Sequence, residues 1–448
     1  MKGSRWYYPV LAVALAAVSG ALFAFAVPPR QVSWLGWIAF LPLLLAARIS
    51  RPVIAVGCGM MCSLSAALIL SGHISEAHHY GNLVAVFGSL GLVLAFVAGF
   101  ASLGKELSPA IEPFFIACAG VTAELLSVGI FPVNAAISQY RDPAMLRLAS
   151  VTGIWGVSFL LWLVPASILA MIRTPRAAWT AFGVAVVALI AASTVGFPIQ
   201  QDGKTIRAAA IQAANPYSAA EQTKQVRGRA DIVVWPEHRI EPGREARIPS
   251  DAARENEIAI IADIREPRPG GKPYNTAFLF GPDGEVIAKQ RKRRPFGKEN
   301  MIFSRGRKST PISYRGAKIG VAICFDTQFT TVIRDLARSG AEVVFVPIHD
   351  PEMPSSLLNY LHGAVIPFRA AENGVPIVCA ECRGLSSIID ASGRIIARSP
   401  TGSSGAVYAP VGLGMANTLA TRWGDWSAYL CVGGMVAGLA SLLVSKPR

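Results

Sequence analysis

The sequence predicts a membrane α-helical bundle of about eight transmembrane helices carrying an α/β sandwich, with sheets covered by helices. Three observations carry this expectation. Apolar residues make up 52% of the 448-residue chain at a mean hydropathy of +0.43, too high for a wholly soluble protein. The excess is concentrated in residues 1–200 and 424–448, whereas 201–423 has the mixed composition of a globular domain. Within 201–423, short β-rich runs alternate with polar turns and helical patterns.

Taken in order, apolar stretches of spanning length cover about 7–27, 32–48, 52–72, 83–104, 111–130, 148–172 and 177–197, and an eighth covers about 425–445. The first is too long for a removable signal, lacks a convincing cleavage site and is followed almost at once by another span. The fifth is interrupted by Glu112, Pro113 and Glu124. Acids inside a span are costly and often functional; the alternative places these two at helix ends or on a short amphipathic segment. Lys2, Arg5, Arg48, Arg51, Lys105, Arg173, Arg176, Lys446 and Arg448 fall at alternate connections, which the positive-inside rule makes cytoplasmic. With the N-terminus inside and seven crossings, 201–423 lies outside the cytoplasm, on the periplasmic face of a bacterial inner membrane. The basic loops also account for the net charge of +14 without a nucleic-acid partner.

From residue 205 onward, "TIRAAAIQA", "DIVVWPE", "EIAIIADI", "NTAFLFG", "GEVIAKQ", "KIGVAICF", "AEVVFVPI", "VPIVCAE" and "LSSIIDA" read as strands. Helical patterns fall at about 248–257, 328–339 and 354–373. The mixture argues for sheets covered by helices. The seven cysteines form no disulfide framework, and four lie in apolar stretches. The pair in "CAEC", 379–382, reads as two strand residues near a site.

Three strand ends carry chemistry. "VVWPEH" sets Glu237 beyond an apolar strand, where Pro236 limits the backbone; "KQRKRRPFG" is a cationic cluster before a turn; "VAICFD" presents Cys324 and an acid. Cys324 is either a buried small hydrophobe or a nucleophile. A thiol needs a neighbouring base and a positive field to attack, which a glutamate and a lysine supply. The lysine also stabilises an oxyanion on the attacked carbonyl, so the three residue types form a set for acyl transfer. His349 and His362 have no carboxylate or cysteine at a metal-ligand spacing, and neither a metal nor an organic cofactor is expected. The apolar segment 352–368, "EMPSSLLNYLHGAVIPF", is either a core helix or a lid dipping into the outer leaflet to guide an acyl chain.

These segments, in this order, resemble the nitrilase or carbon–nitrogen hydrolase superfamily. More narrowly, nearly the whole chain resembles the apolipoprotein N-acyltransferase family, its membrane-embedded branch. "LAAVSGALFAFAVPPRQVSWLGWIAFLPLLLA" and "FPVNAAISQYRDPAMLRLASVTGIWGVSFLL" carry the membrane part, and "IRAAAIQAANP", "VVWPE", "YNTAFLF", "PFG" and "GVAICFDTQF" the rest. The resemblance implies an αββα sandwich with Glu237 as base, Lys292 as oxyanion-stabilising cation and Cys324 as nucleophile. Counting back from "PFG" instead points near Gln290, beside Lys289. The chain departs from the family in having Phe325 for a tyrosine, Asp326 for a glutamate, Glu299 one place later than usual and His349–Asp350 for an "ND" pair. Only about 14 residues separate Pro216 from Asp231, so the helix usual between the first two strands is expected to be almost absent. The implied activity is acyl transfer from a phospholipid to the amine of a lipoprotein, by a monomer. The alternatives are a nitrilase-type amidase or hydrolase, and a diverged branch found among conjugal-transfer proteins, acting in envelope maturation or as a non-catalytic scaffold.

Overall fold

The computed structural model describes residues 7–71, 80–128, 133–172, 174–194, 201–308, 310–350, 357–414 and 417–444. The chain divides into two compact units, one comprising 1–196, 353–357 and 425–448, the other 197–352 and 358–424.

The first unit is helical: α1 (Tyr7–Ala26), α2 (Leu41–Ile49), α3 (Pro52–Ser71), α4 (Tyr80–Gly104), α5 (Glu112–Ser127), α6 (Pro143–Thr152), α7 (Ile154–Met171), α8 (Pro175–Thr194) and, late in the chain, α15 (Trp426–Val444). Among the described residues, α1, α3, α4, α7 and α15 are long and apolar enough to cross a membrane, five helices where the sequence suggested eight. The differences have local causes. The stretch 32–48 is a 3-10 turn at Ser33–Trp37 followed by the nine-residue α2, with Pro42 in its first turn. Proline cannot donate to an upstream helix but suits the start of a new one. In α5 the apolar run is cut to 16 residues, opening on Glu112 and Pro113. Helix α8 is 20 residues long, and its described apolar run is Phe182–Ala191. The stretch 148–172 breaks at Gly153, whose φ of +69° glycine adopts without a Cβ clash.

Glu112 and Glu124 are both buried and partnered. Glu112 opens α5 and meets Arg48 Nη1 at 2.8 Å. The Oε1 of Glu124 accepts from Trp162 Nε1 and from the Ala135 backbone N–H, each at 3.0 Å. Their positions in the first and last turns of α5 match the helix-end alternative. Helices α3 and α4 pack closely at Gly59, where a Cβ would stand 2.4 Å from the Ala95 backbone. No rotamer change relieves a backbone clash, so Gly59→Ala is expected to cost about 1–3 kcal/mol. Thermal unfolding in detergent, with Gly57→Ala as the control that meets nothing within 4 Å, checks this.

The second unit holds β1 (Gln201–Gln212), α9 (Pro216–Lys224), β2 (Ile232–Val234), α10 (Ile248–Asn256), β3 (Ala259–Glu266), β4 (Tyr274–Phe280), β5 (Val286–Arg291), α11 (Glu299–Ile302), β6 (Ile312–Tyr314), β7 (Ala317–Val321), α12 (Thr330–Arg338), β8 (Val343–Ile348), α13 (Leu357–Asn373), β9 (Ile377–Glu381), β10 (Ser387–Ile389), β11 (Ile395–Arg398), β12 (Gly405–Gly414) and α14 (Leu419–Trp423). Two six-stranded sheets form, ordered β12-β1-β2-β3-β4-β5 and β11-β10-β9-β8-β7-β6. Pairing is parallel in the centres, β1-β2-β3 and β7-β8-β9, and antiparallel towards the edges.

Strand alternation builds the layers. Ile232, Val234 and Ile261 face a shared core with Ile319, Val321, Val344 and Val346, while Val233, Trp235 and Ile260 face the opposite way onto Ala219, Val226, Ala252 and Ala253 of the α9–α10 layer. Val332, Ile333 and Leu336 of α12 pack on the second sheet. The result is the αββα sandwich. Three of its strands, β6, β11 and β12, escaped the sequence reading. The longest, β12, contains Pro410 and pairs only with β1, and a sheet edge tolerates proline because no partner needs its N–H. The helix between β1 and β2 is present after all. Asn215 caps α9 by accepting from the Ser218 N–H at 2.9 Å, and Pro216 presets the first turn. From Leu357 onward the apolar segment 352–368 is part of α13, with Ile366 and Phe368 buried, as a core helix requires; 352–356 lie outside the described residues.

Candidate active site

Glu237 stands three residues beyond β2, where its backbone N–H donates to the Ile348 carbonyl at 3.2 Å and ties one sheet's strand end to the other's. Its Oε1 accepts from Lys292 Nζ at 2.7 Å and from Asn275 Nδ2 at 2.5 Å. Lys292 follows β5 directly, and its backbone N–H donates to the Asn275 carbonyl at 2.8 Å. The ammonium is 1% exposed and also meets Glu299 Oε2 at 2.8 Å. Glu299, the first residue of α11, in turn meets Arg239 Nη1 at 3.2 Å and accepts from the Phe296 N–H. Lys289 takes another path. Strand alternation puts it with Arg291 on a half-exposed face, where both bind Glu266 at 2.6 and 2.8 Å. Of the remaining bases in this cluster, Arg293 pairs with Asp335 and Arg294 stacks over Phe329.

Cys324 lies just past β7 and opens a 3-10 turn, Cys324–Gln328, with φ at +48°. A side chain in that left-handed region costs about 1–2 kcal/mol, so the surroundings must hold it there. Asp326 does much of the holding. Its carboxylate accepts from the backbone N–H groups of Ile323, Arg293 and Arg294 at 3.1, 3.1 and 2.7 Å, which locks the cysteine turn to the lysine loop. The shorter acid therefore reaches. Phe325 packs its ring against Phe296 and Phe329 at 4.6 and 5.3 Å between centroids. The Cys324 thiol donates to the His349 carbonyl at 3.7 Å, and the His349 Nδ1 lies 3.1 Å from Cys382 Sγ.

The charge states follow from burial and neighbours. Burial pushes the Glu237 carboxyl up, but Lys292 and Arg239 more than offset it and hold it below the usual carboxylate range. Burial draws the Lys292 amine down, and Glu237, Cys324 and Glu299 more than restore it, so it stays an ammonium. Burial first, then Glu237, pushes the Cys324 thiol well above its ordinary value. At rest the site is a carboxylate, an ammonium and a neutral thiol, which suits proton removal at the moment of attack and not a standing thiolate.

Sequence reasoning missed two groups of residues here. Asn275, an amide in the otherwise apolar run "YNTAFLF", positions Glu237, and Arg239 adds a second cation. A hydrogen bond to a charged group is worth about 1.5–3 kcal/mol, so Asn275→Ala is expected to slow acylation of the thiol by roughly 10–100-fold with KM little changed. Stopped-flow acylation with an activated ester checks this. The second group is spatial. Ligand atoms of Cys324, Asp350 and His362 lie within 4.8 Å of one another, although three separate segments supply them. Both imidazole nitrogens of His362 are already engaged, with Thr327 Oγ1 at 2.7 Å and Asp350 Oδ1 at 2.8 Å, so the grouping reads as a hydrogen-bonded network.

Residues 183–421, more than half of the chain, match the carbon-nitrogen hydrolase family. The chain belongs to that family. Residues 19–167 of this carbon–nitrogen hydrolase match the apolipoprotein N-acyltransferase N-terminal domain. The chain is 28% identical to the apolipoprotein N-acyltransferase of Geobacter metallireducens, covering 95% of this chain and 94% of that one. It is 26% identical to the apolipoprotein N-acyltransferase of Vibrio cholerae over 47% of this chain and 48% of that one. A formamidase of Bacillus cereus is 37% identical over 23% of this chain and 32% of its own length. Among solved structures, Saccharomyces cerevisiae Nit3, a nitrilase-superfamily member, is 25% identical with a TM-score of 0.42, over 48% of this chain and 91% of that one. An amidase from Nesterenkonia sp. AN1 in complex with acrylamide is 20% identical with a TM-score of 0.41, over 47% and 92%. The family resemblance read from the motifs is borne out over both the helical and the sandwich parts.

Proposed function

We propose that this carbon–nitrogen hydrolase transfers a fatty acyl group from a phospholipid, through a thioester on Cys324, to the N-terminal amine of a lipoprotein. The observation that carries the reading is a buried Glu237–Lys292 ion pair beside a thiol held at a left-handed turn. The relatives are named for acyl transfer to the amine of an apolipoprotein. Glu237 takes the thiol proton as sulfur attacks the ester carbonyl, and the oxygen's developing negative charge falls to Lys292. Collapse expels the lysophospholipid alkoxide, which receives the proton from Glu237. The acceptor amine then attacks the thioester, a proton passes from nitrogen through Glu237 to sulfur, and the thiol is restored. Glu299 and Arg239 keep Lys292 charged and in place, and Asp326 keeps the cysteine turn in register with it.

The membrane helices suit a donor that never leaves the bilayer. All seven helical stretches before β1 cross the inner membrane in this reading, the shorter 33–49 and α5 included, and the sandwich stands at the periplasmic face. A 16-residue helix is about 24 Å long, about 6 Å short of the hydrocarbon thickness, a mismatch that local thinning of the bilayer accommodates. Arg48, Arg51 and Lys105 lie at the connections this topology makes cytoplasmic. Reporter fusions at residues 106 and 230 check the parity: activity of a periplasmic reporter only at the second is the expected result.

Incubation of the purified chain with acyl-labelled phospholipid and a diacylglyceryl-cysteine peptide tests the activity. Labelled N-acyl peptide is expected. Labelled free acid in place of N-acyl peptide would establish a hydrolase instead.

A further inference from the structure

Transfer to an amine leaves a proton over. Acylation of Cys324 by an ester is proton-neutral, because the thiol proton ends on the departing alkoxide. An acceptor that arrives as an ammonium is different: thioester plus R–NH3+ gives amide, thiol and one free H+. Glu237 carries one proton from nitrogen to sulfur, and the other needs a second acceptor. We propose that the carboxylate of Asp350, oriented by His362, seats the acceptor's ammonium and takes that second proton. The inference rests on the N-acyl transfer reading.

Asp350 lies two residues past β8, and His362 projects from α13. A carboxylate oxygen of Asp350 stands within 4.8 Å of Cys324 Sγ. That span admits a nitrogen that donates to the carboxylate at about 2.8 Å and approaches a thioester carbonyl at about 3–3.5 Å. Two groups of charges border the sulfur. One is Lys292 and Arg239 with the carboxylates they neutralise; the other is Asp350 with His362. An oxyanion belongs with the first and an ammonium with the second.

The hydrogen-bond inventory explains how Asp350 is held. Thr327 Oγ1 lies 2.9 Å from the Cys324 carbonyl oxygen and 2.7 Å from His362 Nε2, which ties His362 to the cysteine turn. Nδ1 lies 2.8 Å from the Asp350 carboxylate, an acceptor only, and donates to it. Burial draws this imidazole down, while Asp350 and then Glu381 more than restore it, so it is held above its ordinary value. Among the described residues, Glu381 of β9 and Cys324 also face Asp350. Glu381 accepts from the Asp350 N–H at 2.8 Å, and burial with Asp350 pushes its carboxyl up to about 8. Glu381 spends its carboxylate on the backbone N–H groups of Asp350, Arg383 and Gly384, whereas Asp350 presents its own towards Cys324 and His362.

The test separates the half-reactions in Asp350→Asn, an isosteric variant, using the full chain in phospholipid vesicles. Mass spectrometry follows the acyl adduct, and a diacylglyceryl-cysteine peptide follows transfer from it. The ratio of transfer to acylation is expected to fall roughly 10–100-fold at neutral pH. The deficit should narrow as pH rises towards the amine's own value of about 8, where the free base supplies itself. Hydroxylamine, uncharged at neutral pH, should discharge the variant's adduct at the wild-type rate. His362→Gln, which keeps a hydrogen-bonding amide towards Thr327, should show a smaller loss of the same kind. Proportional loss of both half-reactions, or an unchanged ratio and pH profile, overturns the role of Asp350 and leaves acyl transfer standing. A wild-type chain that forms no thioester overturns both together. Adduct formation in the variant itself reports that it folds.

Discussion

Cys324→Ser should carry no acyl group after incubation with phospholipid, whereas the wild-type chain gains the mass of one fatty acyl chain that neutral hydroxylamine removes. Turnover should fall at least about 1,000-fold, because an alcohol gives up its proton far less readily than a thiol and Glu237 is held as a weak base. The fold should not suffer. Cys324 is buried, and replacing sulfur by oxygen leaves the turn's main holds untouched, the bonds from Ile323, Arg293 and Arg294 to Asp326. Retained circular dichroism with no adduct is therefore the expected pair of results. An adduct that persists in Cys324→Ser and resists hydroxylamine would place an ester there and weaken the argument from thiol chemistry; an adduct on another residue would end it.

Lys292→Met should damage both stability and activity. The ammonium serves two carboxylates, Glu237 at 2.7 Å and Glu299 at 2.8 Å, in a pocket that water scarcely reaches. Removing one partner of a buried pair costs about 3–5 kcal/mol, since the other charge stays behind in a poor solvent. For a domain of this size that is a drop in Tm of the order of 10 °C. Glu237→Gln, the complementary variant, should lose activity by roughly 100–10,000-fold because an amide cannot take the proton. Combining Lys292→Met with Glu237→Gln should recover part of the stability and none of the activity. The pH dependence has a definite sign on both limbs. Glu237 has its folded value lowered, so its contribution is present above about pH 4.3 and is lost as pH falls through the lower folded value. Lys292 has its folded value raised, so its contribution is present below about pH 10.4 and is lost as pH rises through the higher one. Wild-type Tm should therefore fall at both extremes, and the double variant should show a flatter profile. A Lys292→Met protein with wild-type Tm would mean that Glu237 and Glu299 find another cation.

Much of the site could be read from the chain because its residues end strands. Short β-rich runs announced β2, β5 and β7, and Glu237, Lys292 and Cys324 are the polar residues at or just beyond their C-terminal ends. Lys289 against Lys292 could not be settled from spacing, because the two motif anchors disagreed by two residues; the alternation of β5 settles where each side chain goes. Asn275 escaped because its value lies in a bond across to Glu237, 38 residues away. The link between Asp350, His362 and Thr327 escaped for the same reason, and α9 and β12 because capping and edge position outweighed their composition.

By itself the sequence determined which segments are too apolar for water, where strands end and which side chains capable of acyl chemistry stand at those ends. These are consequences of hydropathy and of a two-residue period, and both are local. Only the tertiary structure decided which ammonium meets which carboxylate, whether Asp326 reaches three backbone N–H groups, and that an imidazole and a carboxylate from distant segments border the same sulfur. Ion pairs and hydrogen bonds act over a few ångströms in space, and the packing of two sheets sets those distances whatever the separation along the chain.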